Sequence, residues 1–173
     1  MKKEKSFQEH FTGNICFGCG PANKRGIHVT KSYWVGPDHK ETICNWRIRK
    51  FCTATTRGRI NGAIQYALMD CHSIWTAIAA RYDFEKRPFA SDPVIMYVTG
   101  GSDYVKYLKP IPIDSEIITV LARVEELKTE SRRCTIFAEL VVKGVICAEA
   151  RFFAVRVEPD PNEIHALLYP PKK

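Results

Sequence analysis

An aspartate set inside an otherwise apolar helical stretch is the first residue of this chain that demands a chemical explanation. The segment INGAIQYALMDC, residues 60–71, carries Asp70 among Ile64, Ala67, Leu68 and Cys71, and Trp75 and Ile78 continue the spacing. Apolar residues recurring at this interval mark the buried face of a helix. A carboxylate there loses hydration, so it must be paired, protonated or chemically useful. In a cleft such a group attacks a carbonyl carbon directly or activates a water that does so. The alternative is a carboxylate on a helix flank that faces solvent or pairs with a nearby Arg or Lys.

The same segment offers the other half of such a reaction. The first turn of a helix presents N–H groups without intrahelical acceptors, together with a partial positive charge. Amides at Gly62 and Ala63 would polarise a carbonyl and stabilise the oxyanion formed on attack. Gly62 has no side chain to keep that carbonyl away from the backbone. Asn61 is a good N-cap whose amide both donates and accepts. Residues 63 and 70 share nearly one helix face but stand about 10.5 Å apart along the axis, too far for one helix to bring both to one carbonyl.

A second cluster is suggested by CFGC, residues 16–19. Cys16 and Cys19 have half the spacing of a zinc site, with His10 and His28 within reach in sequence. Neither a second Cys-x2-Cys nor a His-x3-5-His accompanies them, which favours a compact turn of packed thiols and no metal. A thioredoxin-like redox role fits worse, because no βαβ pattern surrounds the pair. Cys44, Cys52, Cys71, Cys134 and Cys147 lie singly in apolar or strand-like stretches. With seven cysteines in all, an odd number, the pattern indicates reduced thiols in a reducing compartment. His72 cannot share the face of Asp70 and reads as packing or surface. Trp75 reads as core.

The elements that must position these groups follow from periodicity and breakers. Residues 16–26 read as turns, and 27–35 and 42–51 as strands. In the second, Cys44, Trp46 and Ile48 alternate with Asn45, Arg47 and Arg49. A loop leads to the helix at about 61–81. Four further strands are expected at 94–107, 116–127, 134–143 and 145–157, with Gly144 free to make a hairpin turn. Residues 1–13 read as a tail or capping segment, and the proline-rich 158–173 as an edge segment and no core element. Successive strands on short connections pair antiparallel, and one helix on one such sheet is an α+β layer arrangement. A single domain over 1–173 is expected, with its core at about 16–157 and terminal extensions at 1–13 and 158–173.

Bulk composition narrows the classes. A chain of 173 residues, 45% apolar and 26% charged, is long enough to bury a sizeable core. No apolar run approaches the ~20 residues of a membrane span. MKKEKSFQEHF at the start lacks the apolar core of a secretory signal, so a cytoplasmic protein is the expectation. The net charge of +7 fits a nucleic-acid partner, a solvated surface or a substrate with several phosphates, and charge alone does not choose among them.

Three segments in order carry a family likeness: CFGCGPANKRGIHV, INGAIQYALMD and GGSDYVKYLKPIP. Together they resemble the hotdog-fold acyl-CoA thioesterases, in particular the phenylacetyl-CoA-thioesterase-like branch, over about residues 16–157. The resemblance implies a hotdog fold, a long central helix wrapped by a curved antiparallel sheet of about five to six strands. It further implies hydrolysis of an acyl-CoA or related acyl thioester by a homodimer, or a dimer of dimers, whose sites lie between subunits and take residues from both chains. Asp70 would be nucleophile or general base, with Gly62 and Ala63 as the oxyanion hole. Tyr66, four residues before Asp70, would line or narrow an acyl pocket. No cofactor is implied beyond the coenzyme A moiety of the substrate, for whose phosphates Arg57, Arg59, Lys106 and Lys109 are candidates, a solvated surface being the alternative for each.

The chain also departs from that pattern. Asn61 stands where the family has His, and Ala63 replaces its second Gly. The family's Thr position falls on Gly100. Ser102 shares the alternating face with Gly100 and is the candidate to hold a nucleophilic water, whereas Thr99 points the other way if the strand is regular. The Gly100–Gly101 pair is also a bulge signal that would disturb this counting. These losses motivate an alternative, a hotdog domain that binds an acyl thioester or other small ligand without turnover. Nucleic-acid binding ranks last.

Overall fold

The structure is a computed structural model that describes residues 4–55 and 58–169. Its strands are β1 (Ser32–Trp34), β2 (Glu41–Arg47), β3 (Met96–Tyr107), β4 (Ile117–Leu127), β5 (Arg133–Val142) and β6 (Val145–Val157). The helices are α1 (Gly62–Phe84) and α2 (Pro161–Leu168), and short 3-10 turns occupy Phe7–His10 and Lys50–Cys52. All six strands form one antiparallel sheet in the order β1-β2-β4-β5-β6-β3. The curved sheet wraps α1, giving the α+β arrangement expected from the sequence.

Strand alternation explains how the sheet receives so long a helix. Ile118, Val120 and Ala122 of β4, Ile136, Ala138 and Leu140 of β5, and Ala148, Ala150, Phe152 and Ala154 of β6 are fully buried. They recur at every second position, the signature of one buried sheet face. Ala122 pairs with Ala138, and Ala138 with Ala150. A row of three alanines therefore crosses the centre of the sheet, and such small side chains let the backbone of α1 lie close.

β2 ends at Arg47, short of the expected 51, and a 3-10 turn follows at Lys50–Cys52. Three further differences from the expectation each have a local reason. The first strand is only three residues long, because the N–H groups of Ile27 and Val29 donate to the carbonyls of Phe17 and Gly18 instead of joining the sheet. The N-terminal segment is part of the core, since Phe11 is fully buried against the Trp75 ring. The C-terminal segment forms a helix. Asp160 caps it by accepting from the Asn162 N–H at 2.7 Å, and Pro161 takes the first helical position, where a missing N–H costs nothing. Among the described residues, no helix is long and apolar enough to cross a membrane.

β3 is an edge strand and is irregular. Its register against β6 shifts between Thr99 and Gly101 and again between Ser102 and Tyr104. Each shift inserts one extra residue, so side chains beyond it change face relative to a regular strand.

Candidate active site

The start of α1 is tied down from several sides. The Asn61 N–H donates to the Cys52 carbonyl at 2.9 Å and the Ile60 N–H to that of Ile111 at 2.9 Å. Asn61 Oδ1 accepts from the Ala63 N–H at 2.8 Å, so Asn61 is the N-cap. That bond engages one of the two amides expected to face a substrate. The Gly62 N–H occupies the first helical position, where no intrahelical acceptor exists. From the far end of β3, the Tyr107 hydroxyl donates to the Gly62 carbonyl at 3.1 Å and holds the peptide in place.

Asp70 lies about two turns along α1 and is half-buried. Burial raises its carboxyl above the usual range, the Thr99 hydroxyl opposes that shift, and the nearby Cys16 sulfur adds to it. Thr99 Oγ1 donates to Asp70 Oδ1 at 2.6 Å. The expectation that Thr99 points the other way held only for a regular strand counted from Gly100, and the strand is not regular there. Thr99 pairs with Ala154 and Ser102 with Phe152, both core-facing residues. Paired residues share a side of the sheet, so both hydroxyl residues face α1, three positions apart, with Gly100 as the extra residue between them. Among the described residues, the side chain on Asp70 is Thr99, and Ser102 makes no bond to it. The Gly-Gly pair was the sequence signal for this irregularity.

Gly100 itself has no room for a threonine. A Cβ there would stand 2.5 Å from Val155 Cγ2 and 3.1 Å from the Phe153 carbonyl oxygen. The position matched to the family's Thr by counting is thus closed to any side chain, and its neighbour supplies the hydroxyl.

The basic candidates divide. Lys106 forms an ion pair with Glu149 at 3.3 Å and lies over the Tyr104 ring. Arg59 is exposed and pairs through its backbone with Pro112. Lys109 is exposed, its N–H bound to the Cys147 carbonyl. Arg57 lies outside the described residues. Tyr66 is half-buried with its ring edge-on to Phe152.

His72 is wholly buried, which resolves its two readings in favour of packing. Its Nδ1 is 2.8 Å from Ser32 Oγ and its Nε2 3.1 Å from Thr42 Oγ1. Burial pushes its pKa down to about 4, so it is a neutral link between α1 and the first two strands.

Sequence reasoning missed a third feature. The sulfurs of Cys16, Cys19 and Cys71 all lie within 4.8 Å of one another. Cys71 reads as core from periodicity alone, and only the fold brings the 16–19 turn against it. Hydrogen bonds from the Cys19 and Cys71 thiols, aided by the Cys19 and Gly18 amides, hold Cys16 far below the ordinary thiol range. Cys71 is pushed the other way, first by its bonds to Cys16 and Cys19 and then by burial.

A cavity of about 390 Å³ lined by Phe7, Trp34, His39, Tyr82 and Phe89 contains neither Asp70 nor Gly62. Within one chain the two candidate groups stand at separate places on α1, as helix geometry requires.

No family model and no curated protein matches the sequence. The fold does match solved structures. A thioesterase superfamily protein aligns with a TM-score of 0.61 over 89% of this chain and 70% of its own, at 15% identity. A phenylacetic acid degradation-related protein from Ralstonia eutropha aligns with a TM-score of 0.57 over 72% and 82% of the respective chains, also at 15% identity. A thioesterase from Haemophilus influenzae gives 0.56 over 73% and 78%, at 10% identity. This chain has the hotdog fold. At such identities the likeness establishes the fold, and the hotdog helix is the α1 that carries Gly62, Asp70 and Cys71.

Proposed function

We propose that this hotdog chain hydrolyses the thioester of an acyl-CoA or a related acyl thioester. The observation that carries the reading is the short hydrogen bond from Thr99 to Asp70. It fixes one carboxylate oxygen and leaves the other for chemistry. Asp70 would either attack the carbonyl carbon or take the proton of an attacking water. The Gly62 N–H would receive the developing oxyanion. Collapse of the tetrahedral intermediate expels the thiolate, which takes up a proton and leaves as coenzyme A or a related thiol. Where Asp70 itself attacked, a water then hydrolyses the acyl–Asp70 anhydride and restores the carboxylate.

Two copies of the chain are required in this scheme. The Asp70 of one subunit works against the Gly62 amide of the other, because one helix separates them by more than 10 Å. β3 supports that arrangement. It is an edge strand of twelve residues with Val98 and Tyr107 exposed, and an unpaired edge of this length is a template for pairing with another chain. Among the described candidates, exposed Arg59 and Lys109 are left to meet substrate phosphates. A cytoplasmic location belongs to the same proposal.

Steady-state hydrolysis of a panel of acyl-CoAs, followed by thiol release, tests the reading. Asp70→Asn is expected to lower kcat by about 10²–10⁴-fold with the fold intact. Full activity in that variant would overturn the mechanism. A mass of one chain under native conditions would exclude the shared site.

A second reading rests on Asn61. Its side-chain oxygen is engaged in capping the Ala63 N–H, so the position where related proteins carry His offers no titrating group. A hotdog domain that binds an acyl thioester without turnover would show calorimetric binding and no thiol release.

A further inference from the structure

The three-cysteine cluster takes no part in the hydrolysis proposed above, yet its construction is specific. Two sulfurs come from one tight turn and the third from α1. The turn is pinned on both sides. The Cys16 N–H donates to Asn14 Oδ1 at 2.8 Å, and the Gly20 N–H to the Cys16 carbonyl at 2.9 Å. The Ile27 and Val29 N–H groups hold the carbonyls of Phe17 and Gly18, each at 2.9 Å. The space a Cβ at Gly18 would take is filled by Cys71 Sγ. A glycine at that position is what lets the helix sulfur reach the turn.

The surroundings offer hydrogen-bond donors to sulfur. The Gly18 and Cys19 amides donate to Cys16. The Trp75 indole N–H, buried without an oxygen acceptor, faces Cys19, whose thiol is raised overall, first by its bond to Cys16 and then by burial. Donors that bond to ligand sulfurs without binding metal themselves are the outer shell that tunes thiolate centres. Three sulfurs at ~2.3 Å around a tetrahedral ion stand ~3.8 Å apart. The observed limit of 4.8 Å therefore needs only a small inward turn of the side chains. Three soft thiolates in tetrahedral array select zinc among common divalent ions.

We propose that Cys16, Cys19 and Cys71 bind one Zn2+ ion as three thiolates, with the fourth tetrahedral position open on the exposed Cys16 side to water or another exchangeable ligand. Binding displaces the protons still held by the thiols and leaves three thiolates and the ion as a centre of net charge −1. The ion clamps the 16–19 turn onto α1 at the residue following Asp70. The sequence argument against a metal looked for a second pair in the chain. The third ligand is instead a single cysteine, supplied by the helix.

The test uses the full chain, reduced and then equilibrated with Zn2+ alone. Metal analysis and native mass are expected to show one zinc per chain. Replacement by Co2+ is expected to give a sulfur-to-cobalt charge-transfer band whose intensity follows the number of thiolates. Cys16→Ser, at an exposed position, should weaken the band and loosen binding. Gly18→Ala retains all three sulfurs and should nonetheless lose the bound equivalent, whereas Cys147→Ser should keep it. A reduced wild-type chain that takes up no zinc and shows no cobalt band overturns the proposal. So does finding that a disulfide within the trio, in place of metal, forms when reductant is removed in the presence of zinc. None of these readouts depends on thioester hydrolysis, so the two proposals fail separately.

Discussion

Thr99 and Asp70 meet at 2.6 Å, with Thr99 on the same helix-facing side of β3 as buried Tyr97. The bulge at Gly100 follows Thr99 and turns Ser102 onto the same side, and the proposed chemistry depends on the Thr99–Asp70 bond. Thr99→Val keeps the shape and removes the donor. Its kcat is expected to fall about tenfold or more, in line with the loss of a charge-assisted hydrogen bond. Ser102→Ala is expected to stay near wild type. Acyl-CoA hydrolysis by the two variants side by side checks the assignment, and the reverse order would return the role to Ser102.

Gly100→Ala tests the bulge itself. The added methyl meets Val155 Cγ2 at 2.5 Å and the Phe153 carbonyl at 3.1 Å. Overpacking of this kind costs about 1–3 kcal/mol. Urea unfolding should show that loss, and activity should fall with it because Thr99 moves off Asp70. Gly62→Ala is the contrast. There the new methyl would touch the Tyr107 ring only at 3.5 Å, so stability should hold.

Asn61→Ala removes the acceptor of the Ala63 N–H. A lost N-cap costs about 1 kcal/mol, readable as a lower thermal midpoint. Asn61→Asp retains the cap and should restore stability. If Asn61 acts only as a cap, activity recovers in the Asp variant along with stability; an Asp variant that is stable but inactive would reveal a direct contact with substrate.

A third region carries the pH dependence. Arg81 is buried, and it bonds to the Tyr97 hydroxyl at 3.1 Å and the Ser131 carbonyl at 3.0 Å. Glu85 neutralises it from one turn away and also pairs with Arg87 and Arg156, each at 2.9 Å. Burial raises the Glu85 carboxyl, but the hydrogen bonds and charges of Arg87 and Arg156, with the charge of Arg81, outweigh it and hold its pKa below the usual value. A carboxyl lowered in the folded state stabilises fully above its unfolded pKa and loses that contribution as pH falls through the folded value. Glu85→Gln should therefore cost about 1–2 kcal/mol near neutral pH. The gap between variant and wild type should close below about pH 4, as measured by urea unfolding across pH.

How much of this was legible in the sequence depended on the range of the interaction involved. Helical spacing around Asp70, strand alternation in β4 to β6 and the turn at Gly144 are set by neighbours along the chain. They placed α1 and four strands within a few residues of where they stand. The Asn61 cap is equally local. The C-terminal helix was missed because Pro161 reads as a breaker unless it falls at a first helical turn.

What only the tertiary structure decided are the meetings of residues far apart in sequence. The bulge on β3 is a matter of register against β6, and register depends on the partner strand. Counting in twos from Gly100 across that bulge therefore put Thr99 and Ser102 on opposite faces. Cys71 looked like one more apolar helix residue until the turn at Cys16–Cys19 came to rest against it, held there by Ile27 and Val29. The sequence by itself determined that Asp70 lies on a mostly buried helix with an uncapped amide at Gly62. The fold determined which hydroxyl holds that carboxylate and which sulfurs share its neighbourhood, because both depend on backbone hydrogen bonds between segments that the sequence leaves far apart.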